Sequence, residues 1–562
     1  MFINKKLLFL IAFSALYGEI VQDYDSGKVK LTQILSNDET GVLASEAHIK
    51  KADVQNIAED LNTAEIARFF GCKTTIGNTF LSETLKSPIS PEDSLGVIEN
   101  RQKIIRALVE NPDFKQEVEK LLEVAQAEEQ MIIELLSEFF IGKSCPELRD
   151  LETIKQQYPV LYPFNRFMLM NPTGRTLLLG MNLFTVGTCL SGAGLAGYEF
   201  LNSSSFEAAL GSAYCVFIAG LIGYQLGNDY KSADSKRVRL HSFNQLITVA
   251  EKIEQVCKAY TITTQFKISD IKSPEGAELI EKLKHSRYKD KKSLLFMFPF
   301  VHTFLYRVYE QEKNLAAILA SIAEMDAYNA IATKIIESQD AQNKFCFVTF
   351  IENDTPTIHA ELFWNVLVKN PIASSLTENK HIILTGPNAG GKTTSIRALL
   401  QNIILGQTFG VAAATDFEMT KFDVICSYMN ISDDILKGLS LFASEIKRAQ
   451  EIVQKIKMLG NGKKFFFALD ELFTGTVAED GEICAYEFVK KIASSKGVQC
   501  IYSTHFNKLK ELGNADEHCV NYKVDAPIKN GDNKLVYPYT LSKGANESRV
   551  ALDLAREAFL FE

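Results

Sequence analysis

The chain has no surplus of positive charge. Its 60 Lys and Arg face 69 Asp and Glu for a net charge of −9, and no segment is strongly basic. That excludes tight, nonspecific binding of a polyanion through bulk charge and leaves only a local basic groove for such a role. The ten cysteines are scattered singly, with no C-x-x-C pair and no metal-ligand spacing. A disulfide framework and a zinc site are therefore excluded, and the thiols read as reduced, in a cytosolic setting. Internal repeats and low-complexity linkers are also missing. At 562 residues the chain is too long for one ordinary domain and long enough for sizeable cores.

What is present centres on HIILTGPNAGGKTTSIRALL, His381 to Leu400. It reads as a buried strand, a glycine-rich turn and a helix with apolar residues at Ile396, Leu399, Leu400, Ile403 and Ile404. The turn fits G-x-x-x-x-G-K-[ST] through Gly386, Gly391, Lys392 and Thr393. Glycines let backbone amides close around a phosphate chain, and the helix N-terminus adds its positive dipole end. Lys392 is placed to reach β- and γ-phosphates, and the Thr393 hydroxyl to ligate Mg²⁺. Downstream, FFFALDEL (Phe465 to Leu472) is an apolar strand ending in Asp470 and Glu471. The first acid suits a Mg²⁺ contact and the second a general base that polarises a water. A third strand, VQCIYSTHF, delivers His505 just past its end, suited to sensing a γ-phosphate or the water.

In this order and spacing, GPNAGGKTT, SDDILKGLSLFASEIKRA, LDELFTGTVAEDG and YSTHF resemble the ATPase domain of the MutS family. The resemblance implies an ABC-type ATPase with ATP and Mg²⁺ as cofactors, working as a dimer whose nucleotides lie between subunits. It places Gly386, Pro387, Asn388, Ala389, Gly390, Gly391, Lys392, Thr393 and Thr394 in the nucleotide-binding loop, Asn388 matching the family's loop asparagine. Ser440, after Gly438, matches the serine lent to the partner's nucleotide, and Tyr539 falls where the family stacks a ring on adenine. Thr393 and Asp470 are implied as metal-associated, Glu471 and His505 as catalytic. The sequence departs from the family at Phe473-Thr474-Gly475-Thr476, where the usual run is G-R-G-T.

The remainder is helical by pattern on both sides of an apolar middle. Residues 49–140, and NLAAILASIAEMDAYNAIATKII from Asn314 to Ile336, resemble the family's core and lever helices. Between them, Leu177 to Tyr198 and Phe206 to Gly227 are nearly free of charge, rich in Gly, Ala and Ser, and long enough to cross a bilayer. The loop between them lacks Lys and Arg, while Arg166, Arg175, Lys231, Lys236, Arg237 and Arg239 flank the pair. By the positive-inside rule both flanks lie in the cytosol. Lys5 and Lys6 precede a short apolar run, LLFLIAFSALYG, that reads as a signal-like or membrane-associating end. Only about 50 residues precede the core-like stretch, so a mismatch-reading domain is expected to be missing.

The expected fold is α/β. An ABC-type P-loop ATPase domain over 345–562 follows an all-α lever and core, over 21–175 and 229–344, interrupted by a two-helix transmembrane hairpin over 176–228. Residues 1–20 form the membrane-associating end. The expected function is ATP-dependent DNA binding linked to mismatch or damage handling, tethered to a membrane. The alternative is a membrane-anchored ATPase for remodelling or sensing that has lost DNA. Expected partners are a second copy with composite ATP sites, mismatched or branched DNA, and a lipid bilayer. The expected location is a multi-pass membrane protein with its ATPase domain facing the cytoplasm.

Overall fold

The structure is a computed structural model that describes residues 54–92, 96–141, 237–268, 281, 312–387, 390–429, 441–460, 462–525, 528–529, 535–536 and 538–547. The chain divides into two compact units, one of residues 1–34, 121–254 and 266–322, the other of 35–120, 255–265 and 323–562. The described part of the first unit is helical. Its apolar residues recur at three- and four-residue spacing and are buried: Leu122 and Ala125, then Phe243, Leu246, Ile247, Ala250 and Ile253, then Ile318, Leu319 and Ile322.

The second unit is built on a seven-stranded sheet. Its strands lie in the order Val54–Gln55, Val424–Tyr428, Phe465–Asp470, Val498–Ser503, His381–Thr385, Cys519–Val524 and Leu541–Lys543. Every pair is parallel except the last. Strands buried on both faces read as continuous apolar runs, which is why FFFAL and HIIL show no alternation. Phe465, Phe467 and Leu469 share a core with Ala449 and Ile452 of helix Leu441–Leu459 and with Phe488, Val489 and Ile492 of helix Ala478–Ala493. The helix Lys392–Phe409, which follows the glycine-rich turn, also packs on the sheet. A smaller sheet joins Thr349–Phe350, Asp416–Met419, Ile358–Phe363 and Ser374–Glu378. Ile528–Lys529 pairs antiparallel with Leu535–Val536.

Because adjacent strands are parallel and in register, Asp470 lies opposite Ser503, and Ser503 opposite Leu384. The carboxyl ends of the three central strands thus converge on one rim, where open α/β sheets bind ligands.

The expectation of a transmembrane hairpin is corrected. The architecture is mixed α/β, and among the described residues no helix is long and apolar enough to cross a membrane. Leu177–Tyr198 and Phe206–Gly227, like residues 1–20, lie outside the described residues. The physical reason is that length and low charge report only apolarity, which a protein interior rewards as a bilayer does. The multi-pass location with a cytoplasm-facing ATPase domain, and the lipid bilayer as partner, rested on the hairpin and are withdrawn with it.

One buried group makes the sheet sensitive to acid. His381, at the start of its strand, is buried, with Nδ1 3.3 Å from Cys500 Sγ. Burial, then the neighbouring His518, pushes its pKa down to about 4. The folded value lies below the unfolded one, so this stability is complete above about pH 6.5 and is lost as pH falls towards 4. At 1.36 kcal/mol per pKa unit, the loss between pH 7 and 4.5 is about 2 kcal/mol. Urea unfolding of the wild type and His381→Gln at both pH values checks it. The variant should lose less by that amount, and equal losses would remove His381 as the cause.

Candidate nucleotide site

The glycine-rich turn leaves the strand at Gly386 and enters the helix at Lys392. A Cβ on Gly390 would lie 2.9 Å from the Pro387 carbonyl oxygen, and Gly391 has φ +100°, so glycine is required at both points of the tight return. Gly390 N–H donates to the Pro387 carbonyl at 3.0 Å. Asn388 and Ala389 lie outside the described residues, as does Ser440. Thr394 is exposed on the helix's first turn. Tyr539 is brought to the loop from far along the chain. Its Cδ1 would meet a Cβ on Gly391 at 3.0 Å, so the ring lies against the last glycine of the turn.

Lys392 is only 5% exposed, and its ammonium donates to the carbonyls of Gly386 at 3.2 Å and Pro387 at 3.4 Å. Glu471 Oε1 stands 3.3 Å from the same nitrogen. Burial pulls the Lys392 pKa down, and the charges of Glu471 and Asp470 oppose it. His505 Nε2 lies 2.8 Å from Glu471 Oε1 and 3.0 Å from Lys392 Nζ. One nitrogen cannot serve both at once: carrying a proton it donates to Glu471, and without one it accepts from Lys392. The hydrogen bond to His505 and the charge of Lys392 hold the Glu471 carboxyl below its ordinary range, against burial.

Asp470 is fixed by two hydroxyls. Thr393 Oγ1 donates to Oδ2 at 2.6 Å, and Ser503 Oγ donates to Oδ1. The structure therefore brings Lys392, Thr393, Asp470, Glu471 and His505 into one cluster. Ser503 was missed in the sequence, although it sits in YSTHF two residues before His505. Its oxygens also accept the Glu471 N–H, from carbonyl and hydroxyl alike, at 3.2 Å each. Glu471 itself has φ +48°, uncommon for a side chain larger than glycine and a mark of strain held at a working site.

A hydroxyl and a carboxylate side by side are the hard oxygen donors that Mg²⁺ takes, and a glycine-lined turn with a buried ammonium is the lining that phosphates take. The residues fit both groups. Among the described residues, one other cluster could hold a cation: His359, Glu361 and Asp416 of the small sheet, with ligand atoms within 4.8 Å. It lies at the surface, and its histidine is already tied to Thr377 at 2.6 Å and to Asp416 at 3.5 Å.

Residues 382–562 match the family model of MutS domain V. That span begins inside the central strand and includes every residue of the cluster. The chain is also similar to proteins named DNA mismatch repair protein MutS. That of Fusobacterium nucleatum subsp. nucleatum is 29% identical over 201 residues, 36% of this chain and 22% of that protein. That of Finegoldia magna is 25% identical over 264 residues, 45% and 30% respectively, and that of Streptococcus pyogenes serotype M5 is 27% identical over 267 residues, 46% and 29%. The chain thus matches less than a third of the length of these relatives. Together the matches show that residues 382–562 are similar to domain V of MutS proteins. Where the usual MutS run is G-R-G-T, Phe473 here adopts φ +70°, and the N–H and hydroxyl of Thr474, in the arginine's place, both point at Glu445.

Proposed function

We propose that the protein binds MgATP in the turn 386–391 and hydrolyses it, and that turnover is linked to binding of DNA in mismatch or damage handling. The observation that carries the chemistry is the placement of the Glu471 carboxylate, ionised and 3.3 Å from the loop lysine. In this reading the backbone of the turn takes the phosphate chain. Lys392 trades its carbonyl partners for β- and γ-phosphate oxygens, a better match for a buried ammonium. Thr393 and Asp470 would hold Mg²⁺, which would supply positive charge to offset the charge that develops on the phosphate during hydrolysis. Glu471 accepts the proton of the attacking water, and His505 orients the carboxylate and reports on the γ-phosphate. The loop of one subunit and Ser440 of a second copy form one composite site, so the working unit is a homodimer. Tyr539 bounds the nucleotide on the loop side.

The DNA link rests on the resemblance to MutS proteins. ATP turnover of the purified full-length chain, without DNA and with duplex, branched and mismatched DNA, tests both parts. Phosphate release that changes severalfold with one of these DNAs is the expected result. Turnover indifferent to all of them would remove the DNA link, and no turnover with nucleotide bound would remove the hydrolysis.

A further inference from the structure

The loop that follows Glu471 is held in a conformation its own residues do not favour. Glu471 and Phe473 both have positive φ, +48° and +70°, and neither is glycine. Such backbone persists only where the surroundings over-determine it. Three supports do so. The buried Tyr502 hydroxyl donates to the Leu472 carbonyl at 2.9 Å. The ring of Phe473 is buried edge-on against Phe488 at 5.8 Å, and its carbonyl oxygen lies 2.2 Å from where a Cβ on Gly481 would stand. The third support is Glu445, in the second turn of helix Leu441–Leu459, 2% exposed. Its Oε1 accepts the Thr474 N–H at 3.0 Å and Thr474 Oγ1 at 3.4 Å, and its Oε2 accepts the Gly475 N–H at 3.1 Å. The loop lies flush on the helix start, since a Cβ on Gly475 would stand 2.7 Å from Phe442 N.

A buried carboxylate is an expensive way to satisfy two amides unless both of its oxygens are needed. Here they are: two successive N–H groups point at one side chain, and only a carboxylate offers an acceptor to each. We propose that Glu445 is a positioning residue for ATP hydrolysis. By clamping Thr474 and Gly475 it keeps the Glu471 backbone left-handed, and so keeps the Glu471 carboxylate between Lys392 and His505. This rests on the reading of Glu471 as the base. Tyr502 and Ser503 fix the loop from the sheet, and Glu445 ties it by hydrogen bonds to helix Leu441–Leu459. Movement of that helix would therefore reach the base through this side chain.

The test uses the full chain with Glu445→Gln and Glu445→Ala, each alone and combined with Glu471→Gln. Glutamine keeps the volume but offers one acceptor and turns an N–H towards the other amide. Turnover at saturating MgATP is expected to fall roughly 10-fold for Glu445→Gln and further for Glu445→Ala, as for a reacting group displaced by a fraction of an ångström. Affinity for a fluorescent ATP analogue should stay within about threefold, separating kcat from binding. In the Glu471→Gln background neither change should slow turnover further, because a positioning residue has nothing left to position. If Glu445→Ala does not fold, Glu445→Gln decides. Full turnover in Glu471→Gln alone would overturn the base and this proposal with it. Loss in Glu471→Gln with an unaltered rate in Glu445→Gln, or losses that multiply in the double variant, would overturn the positioning role alone.

Discussion

Glu471→Gln is expected to bind ATP as the wild type does and to turn it over roughly 100-fold more slowly or worse, the usual loss when a general base is removed. The other contacts of the binding elements do not involve the Glu471 side chain: Lys392 keeps the Gly386 carbonyl, and Thr393 keeps its hydrogen bond to Asp470. Glutamine fills the same space and can still accept a hydrogen bond from His505 or Lys392, so the geometry survives. What it lacks is basicity. The wild-type carboxyl is held below its ordinary pKa by His505 and Lys392, so it is ionised throughout the neutral range. The single-turnover rate of phosphate release, with nucleotide affinity measured in parallel, checks the expectation. Intact binding with an unchanged rate would move the base elsewhere.

The largest stability loss is expected from Gly410→Ala. Gly410 ends helix Lys392–Phe409 in the left-handed region, φ +69°, where alanine costs about 1 kcal/mol. A Cβ there would also fall 2.2 Å from Gln102 Cγ and 2.7 Å from its Nε2. Gln102 must swing away, and its amide now donates to the Val348 carbonyl at 2.8 Å and the Gly410 carbonyl at 2.7 Å. Two half-buried hydrogen bonds at roughly 1–1.5 kcal/mol each, plus local displacement, bring the total to about 3–4 kcal/mol. Denaturant unfolding measures it, and the pair can be dissected. With Gln102→Ala already present the clash is gone, so Gly410→Ala should then cost little beyond the backbone term. A loss below 1 kcal/mol in the single variant would show that Gln102 relocates without penalty.

The parts of the site that were legible in the sequence are those whose chemistry is written locally. A glycine turn between an apolar strand and a helix, or two acids closing an apolar run, carry their geometry in their spacing. Ser503 and Glu445 escaped because their roles exist only in three dimensions. One faces Asp470 across two paired strands, and the other meets a loop 29 residues away. Tyr539 could be placed only through resemblance, since nothing near Pro538 states that its ring reaches Gly391. The membrane hairpin failed for the opposite reason: its signal was strong but not specific. The two-residue strand Val54–Gln55 gave no signal, because two residues have no period.

That short strand sets an order of events for the folding chain. Val54 and Gln55 pair with Ile425 and Cys426, Asn56 Nδ2 donates to the Ser427 carbonyl, and the Asp60 carboxylate accepts the Met429 N–H. The residues that finish one side of the sheet leave the ribosome about 370 residues before the strand they join, roughly 20–70 s earlier at 5–20 residues per second. Through that interval they wait without their partner. When Val424–Tyr428 is made, its outer backbone groups would be open to any other extended chain. Among the described residues, this early-made segment thus acts as a stopper on one edge of the sheet, covering part of the strand at which two nascent copies could join.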